Sequence, residues 1–576
     1  MREIVFGLVG RGLERLVGEG VLPGEVLAAF PGAGTEIKVE RPRERSHGDF
    51  STNAALVLAR LAGMKPRDLA QRLLSAMPAD LLDGVRCELA GPGFVNFHVS
   101  PERLRNVIPV ILQRGADYGH SRAGNGQRVL VEFVSANPTG PMHVGHGRGA
   151  VTGDVIARLL SAIGCAVERE YYINDAGAQI DVLGRSVLYR YREALGCPTE
   201  PPADHYPGEY VIDIARALIA RDDKKWLATP LSGKPPVEVV DLAIELVMGE
   251  IRSDLESMAI HFDHWFSERT LHAEGGITRV MAHLQANDLI HEGVLEPPKG
   301  REISPEEQDD RLQVLFRATR FGDDADRPLM KADGTPTYFA ADIAYHFDKA
   351  RRGYTRLIDV WGADHGGYVK RVQAALEAMT GQKELLDVVL TQMVNLTQGG
   401  KQVRMSKRAG TFVTLREVLD ETGSDAVRFW FLTRSSGAGL DFDLDLAKSR
   451  SNDNPVFYVQ YAHARVHSVQ NKLKERGLSD EEGDLARLTA QEELDLIRLL
   501  GMFPETVESA ALSREPHRLT YYLSDLAAMF HGYYNNYRIL DEDPGLRGAR
   551  LALVRATGRV IANGLDLLGV SAPESM

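Results

Sequence analysis

The sequence predicts an α/β protein built on a parallel sheet, with a small α+β domain before it and an all-α helical bundle after it. Three observations predict this. An apolar strand-like run at 128–134 is followed by a glycine-rich loop, a helical apolar pattern at 150–163 and a second strand-like run at 167–173. Strand, helix, strand in that order marks a parallel unit, because parallel neighbours need a crossover. From about residue 445 the apolar spacing is helical and no strand-like alternation intervenes. Finally, 576 residues exceed the roughly 250–300 that one core accommodates, so several domains are expected.

In chain order, Ile4, Leu8, Leu13 and Leu16 fall at rough helical spacing, and 54–61 and 69–77 read as further helices. Residues 95–99 alternate like a half-buried strand. These make up a domain at 1–110, joined through the Gly-, Ser- and Asn-rich 115–126 to a central domain at 120–445. Further strands are expected at 357–361 and 388–396. The stretch at about 180–300 looks mainly helical, with a Pro/Gly-rich piece at 198–208, and reads as an insertion. In the last domain, 446–576, Leu496, Leu499, Leu500 and Phe503 follow i, i+3, i+4, i+7. Val554, Ile561, Leu565 and Leu568 mark a second apolar face.

Lys plus Arg is 67 and Asp plus Glu is 80, a net charge of −13. That excludes a bulk polyanion binder of the histone type but not a local basic surface, since the patch sets the field. Arg41, Arg43 and Arg45 form one short basic cluster, equally readable as a solvated loop. Cys87, Cys165 and Cys197 are odd in number and far apart, which argues against a disulfide framework or a cysteine zinc site and fits a reducing cytosol. No apolar run approaches about 18 residues, so no membrane span is expected. Charges inside the N-terminal apolar pattern suggest an amphipathic helix rather than a signal peptide.

Two motifs carry chemistry. His143 and His146 stand in HVGH where the first strand's loop passes into a helix, with Gly145, Gly147 and Gly149 removing side-chain bulk. A helix start offers unpaired N–H groups and a positive dipole end, which suits a phosphate. A glycine-rich turn with incidental histidines, or a metal pair, are the competing readings. The second motif, GGKQVRMSKRAG at 399–410, opens on a Gly-Gly hairpin turn and holds Arg404, Lys407 and Arg408 around small residues. A cationic loop of this kind can neutralise charge developing on pyrophosphate. A solvated basic loop is the alternative.

HVGH after the first strand and MSK about 260 residues later resemble the paired signatures of class I aminoacyl-tRNA synthetases. The longer strings VEFVSANPTGPMHVGH, TYFAADIAYH, SDAVRFWFL and NPVFYVQYAHARV resemble arginyl-tRNA synthetase, as do HGDFSTNAA at 47–55 and AGPGFVNF at 90–97. Some members of that family lack the loop lysine and carry a substitute before the first motif. Here Gly140 occupies that position and Lys407 is present.

The resemblance implies a Rossmann-like catalytic domain, an N-terminal domain that touches the tRNA elbow and a C-terminal anticodon-binding domain. It implies ATP as substrate with accompanying Mg²⁺ and no dedicated protein metal site. L-arginine and tRNA(Arg) are the implied partners, the chain acting as a monomer in the cytoplasm. It implies that His143 and His146 donate to phosphate and that Lys407 holds the departing β,γ-phosphates. Gly145, Met405 and Ser406 would join ATP binding, with Gly362 and Asp364 of WGADH at the adenosine. A turn Asp satisfying local N–H groups is the alternative for Asp364.

Arginine's guanidinium calls for carboxylates placed for bidentate contact. Glu132, Asn137, Tyr338 and Asp342 match the family's arginine-binding pattern, and His365 faces arginine or ATP. Glu132 and Asp342 could instead be buried acids paired with the chain's own arginines. Tyr458, Tyr461 and Arg465 are candidates for stacking on anticodon bases, against a core role. The rival functions are another class I synthetase, a nucleotidylyltransferase sharing the HxGH site, and a catalytically silent tRNA-binding relative.

Overall fold

The computed structural model describes the chain apart from residues 1, 31–36, 43, 81, 198, 295–311, 332, 404–412 and 480–482. The first helix, Arg2–Gly18, buries Val5, Leu8, Val9, Leu13 and Leu16 along one face. It packs on the helix Pro66–Ala76. Both flank an antiparallel sheet ordered Val39–Glu40, Phe50–Thr52, Phe94–Val99, Val85–Ala90. Arg41 lies over the ring of Phe50 and pairs with Glu505 at 3.1 Å. Its charge is therefore absorbed in a contact with the C-terminal helices, while Arg43 lies outside the described residues.

The central sheet has five parallel strands in the order Leu386–Thr391, Arg356–Gly362, Arg128–Glu132, Ala166–Ile173, His264–Ser267. From Arg128–Glu132 the chain goes through the helix Val144–Ala162 to the strand on one side, and it returns later to build the other side. The order reverses between Arg128–Glu132 and Arg356–Gly362. Ligands of open α/β sheets gather at the carboxyl ends of strands at such a switch point.

Val144–Ala162 is buried along almost its whole length. A Cβ on Gly153 would lie 2.2 Å from Phe133, so only glycine lets this helix lie so close to the sheet. Farther along the helix, Arg428 is fully buried against it. It donates to Asp154 Oδ2 at 2.5 Å, Met258 O at 2.7 Å and Leu568 O at 2.8 Å. One guanidinium thus joins the central-sheet helix to the end of the last helix.

Three expectations need correction. The run at 388–396 is two strands in different sheets: Leu386–Thr391 in the central one, and Val394–Gln398 beside Leu440–Asp443. The break falls at Gln392 and Met393, where the chain leaves one sheet for the other. The stretch 180–300 is mainly helical as expected, but it is not wholly an insertion. His264–Ser267 forms an edge of the central sheet, and Ile290–Gly293 joins Gln313–Phe316 and Arg327–Met330 in a separate antiparallel sheet. Four-residue strands are too short to show a period. Finally, Phe503 starts a new helix, Phe503–Ser513, and Gln491–Leu500 ends before it. The i+7 spacing survives because both helices face one core, where Leu496, Leu500 and Phe503 are buried.

The Gly399–Gly400 hairpin forms as expected between Val394–Gln398 and Lys401–Gln402. Both glycines have positive φ, 57° and 72°, the combination a two-residue type I′ turn requires. The C-terminal part is helical, with Pro455–Glu475, His517–Asn536 and Pro544–Leu568 as its long members. Val554, Ile561, Leu565 and Leu568 all lie in its core. Among the described residues no helix is long and apolar enough to cross a membrane.

Candidate active site

The strand Arg128–Glu132 ends in a tight turn. Val134 and Ser135 have φ of 69° and 41°, left-handed conformations that are costly for a β-branched residue. This strained turn sits at the switch point. His143 then caps the helix Val144–Ala162. Its Nδ1 accepts from the Gly145 N–H at 3.1 Å, and His146 Nδ1 accepts from the His143 N–H at 3.3 Å. The two imidazoles therefore make a reciprocal capping box, and their rings stack 3.7 Å apart at 18°.

The cap also fixes the tautomers. With both Nδ1 atoms accepting, the ring proton of each neutral histidine belongs to Nε2. Residues in the helix's first turn are packed against the chain beyond the second motif. Thr414 pairs with His143 as a β-bridge, Leu415 N donates to Met142 O at 2.8 Å, and a Cβ on Gly147 would meet Leu415 at 2.7 Å. Met405, Ser406 and Lys407 lie outside the described residues, as do Arg404 and Arg408. On the near side, Val403 N donates to Leu396 O at 2.9 Å.

The other wall of the crevice follows Arg356–Gly362. Asp364 and His365 stand on the turn after it, both exposed and 3.5 Å apart. The Asp364 carboxylate lies close over Gly362, and a Cβ there would be 2.4 Å from its Oδ1. The helix Tyr338–Arg351 carries Tyr338, which is 70% exposed, and Asp342, one turn apart as expected. Asp342 accepts from the Tyr368 hydroxyl. Burial pushes the Asp342 carboxyl above its ordinary range, with Tyr368 and the fields of His346, His365 and Lys349 opposing. Asn137 is exposed and donates to Gln179 at 3.0 Å.

Glu132 is engaged inside the chain. It accepts from Ser135 Oγ at 2.8 Å and pairs with Lys349, which is wholly buried. Lys349 also reaches Asp359 at 3.0 Å, and His346 Nε2 meets Asp359 at 2.8 Å. Glu132, His346 and Asp359 bring three potential ligand atoms together, but the cation among them is Lys349 itself. The alternative read from sequence, an acid paired with one of the chain's own arginines, is met for Glu132 only in kind: its internal cation is a lysine, Lys349.

A row of acids crosses the sheet here. Asp359, Glu132 and Glu170 occupy one register position on three neighbouring strands. Glu170 is fully buried and takes both Nη atoms of Arg352, at 2.6 and 2.8 Å. Beside it, Tyr172 lies in the field of Glu268, Asp342 and Glu132, and burial with these acids drives its hydroxyl pKa upward. Sequence reasoning missed Lys349, Asp359, Glu170, Glu268 and Tyr368. A signal existed for two of them: Asp359 interrupts an apolar strand as Glu132 does, and Lys349 follows Asp342 and His346 at helical spacing.

The last three candidates converge away from this crevice. Arg465 lies over the rings of Tyr461 and Tyr534, 4.6 and 4.7 Å away, and its Nη1 meets His531 Nδ1 at 3.1 Å. The Tyr458 ring is 4.6 Å from His531. All three are half-buried on Pro455–Glu475 and present a cationic aromatic surface.

The arginine–tRNA ligase of Magnetococcus marinus is 58% identical to the chain, with the whole of both sequences aligned. The chain belongs to the arginyl-tRNA synthetase family. That of Roseobacter denitrificans is 46% identical, over 100% of this chain and 99% of its own. Three family models match segments in order. The arginyl tRNA synthetase N-terminal domain matches 24–99, the catalytic domain of class I (R) tRNA synthetases 107–200, and the DALR anticodon binding domain 459–576. The solved arginyl-tRNA synthetase of Thermus thermophilus shares the fold, with a TM-score of 0.70 at 24% identity over 98% of this chain and all of that one. In arginyl-tRNA synthetase terms, the HVGH cap, Glu132 and Glu170 fall in the catalytic-domain match. Tyr461, Arg465, His531 and Tyr534 fall in the DALR match.

Proposed function

We propose that this chain is an arginine–tRNA ligase. The carboxylate of L-arginine attacks the α-phosphorus of ATP. A carboxylate oxygen–phosphorus bond forms, the bond to pyrophosphate breaks, and arginyl-adenylate results. The arginyl group then passes to the 2′-hydroxyl of the terminal adenosine of tRNA(Arg), with release of AMP. The observation that carries the reading is the two-histidine capping box at a helix start on the switch point. Phosphoryl transfer asks the protein mostly for positioning and charge stabilisation. Two rigid Nε2–H donors beside a helix N-terminus supply both.

In this reading Lys407 follows the leaving pyrophosphate, with Gly145, Met405 and Ser406 beside the phosphates. Asp364, beside Gly362, takes the ribose hydroxyls. Asp342, Tyr338, Asn137 and the Glu132 network receive arginine, and His365 lies between the two ligands. Mg²⁺ travels on ATP's own oxygens, since the one three-ligand cluster among the described residues already holds an ammonium. Tyr458, Tyr461 and Arg465 offer stacking and charge to unpaired bases of the tRNA. The chain is taken to act as a cytosolic monomer.

ATP–pyrophosphate exchange, run with each of twenty amino acids and with and without tRNA, tests the reading. Exchange is expected with arginine alone and only once tRNA is present. Exchange driven by another amino acid would replace the assignment.

A further inference from the structure

The row Asp359, Glu132, Glu170 is unusual. Like charges directly across neighbouring strands repel, and all three acids are buried. Two cations from one helix end answer them: Lys349 between Asp359 and Glu132, and Arg352 on Glu170. Against Lys349 and Arg352 alone, three carboxylates leave one negative charge; His346 on Asp359 at 2.8 Å and His264 at 3.7 Å from Glu170 add positive charge to the row only when protonated. Burial alone would strip Lys349 of its proton, but Asp359, Glu132 and Glu170 more than offset this and hold it charged. Asp359 is held ionised against its burial by Lys349 and His346, while burial keeps the Glu132 carboxyl above its ordinary range. Of the pair, Glu132 is the readier to take up a proton.

We propose that Lys349 is a positioning residue for amino-acid recognition, clamping Glu132 against Asp359 so that the row presents one uncompensated negative charge to a cationic side chain. The inference rests on the arginine reading above. Lys349 touches no substrate in this account and acts through Glu132. The groups that face Glu132 are Lys349 and His346 from the helix, Asp359 and Glu170 from the flanking strands, and Ser135 from its own turn. Tyr345 lies under the ammonium at 4.4 Å, and its hydroxyl donates to Glu170. Without Lys349, Glu132 and Asp359 face each other with no cation between them. The pair then retains one proton, and His346 favours Asp359 as the ionised member, so the proton sits on Glu132. Arginine must displace that proton to bind.

The test uses the full chain with tRNA and reads arginine and ATP requirements in exchange from pH 6.5 to 9. Lys349→Met is expected to raise KM for arginine at least about tenfold at pH 7, with KM for ATP within about twofold. The arginine KM of the variant should fall as pH rises, while that of the wild type stays level. The double variant Lys349→Met/Asp359→Asn removes the acid that shares a proton with Glu132, so Glu132 is ionised again, and it is expected to recover most of the arginine affinity at pH 7. If the single variant does not fold, the double variant alone decides. Wild-type arginine KM in the single variant would overturn the proposal. So would a double variant whose arginine KM is not restored, or a pH-independent loss shared by arginine and ATP. Failure of the wild type to use arginine would instead overturn the functional reading itself.

Discussion

Replacing His146 with alanine separates the structural from the catalytic work of the HVGH cap. The structural loss includes one acceptor for the His143 N–H, a 3.3 Å bond, and one stacked ring. Losing an N-cap partner typically costs about 0.5–2 kcal/mol. The helix it caps is buried along almost its whole length, so packing rather than the cap holds it in place. A domain stable by about 5–15 kcal/mol stays folded after such a loss. The catalytic loss is a preorganised Nε2–H donor, which typically costs about 10²–10³ in rate, or roughly 2.7–4 kcal/mol of transition-state stabilisation. Rapid-quench measurement of adenylate formation, with tRNA and saturating arginine and ATP, should show that drop. Equilibrium arginine binding and the melting curve should move little. Normal adenylation in the variant, or a rate loss matched by an equal loss of ATP affinity, would refute a role confined to the transition state.

Asp342→Asn should raise the arginine requirement at least about a hundredfold, since unpairing a buried cation from its carboxylate costs roughly 3–5 kcal/mol. Tyr368→Phe, which removes one hydrogen bond to Asp342, should cost no more than about tenfold. Equilibrium titration of arginine and of an ATP analogue checks both, and equal losses for the two ligands would remove Asp342 from the pocket. Lys407→Ala should depress pyrophosphate exchange and leave tRNA affinity little changed. A filter-binding assay showing only weaker tRNA binding would make the loop a nucleic-acid contact instead. His463, His517 and His531 have depressed pKa values, caused first by burial. The unfolded chain then binds more protons than the folded one, so stability falls as pH drops below about 6.5 and toward their folded values. The urea midpoint should decline from pH 7.5 to 5.5, less steeply in His531→Asn. A flat profile would contradict the burial of these rings in neutral form.

Long elements were legible in the sequence because their periods are long enough to read. The Leu565–Leu568 face, the strand around 128–132 and the Gly399–Gly400 turn each follow from local pattern and backbone sterics. The edge strand His264–Ser267 was not, because four residues paired on one side impose almost no pattern. HVGH could be located from its place after a strand, but its reciprocal cap could not be read from the letters. That depends on where two imidazole Nδ1 atoms fall relative to two N–H groups. Glu132 and Asp342 stood out as acids in apolar surroundings. Glu170 did not, because its meaning lies in register across strands far apart in sequence, and Lys349 showed only its helical spacing from Asp342 and His346, not the strand acids it pairs with. The left-handed Val134 was equally hidden, since no residue there announces a positive φ.

The central claim is that this chain charges tRNA with arginine. Acid-precipitable counts from each of twenty labelled amino acids, incubated with the protein, ATP, Mg²⁺ and total tRNA, test it most directly. Label from arginine alone should accumulate in tRNA and disappear when the tRNA's terminal adenosine is removed. Stable attachment of a different amino acid, or none while the folded protein binds tRNA, would contradict it.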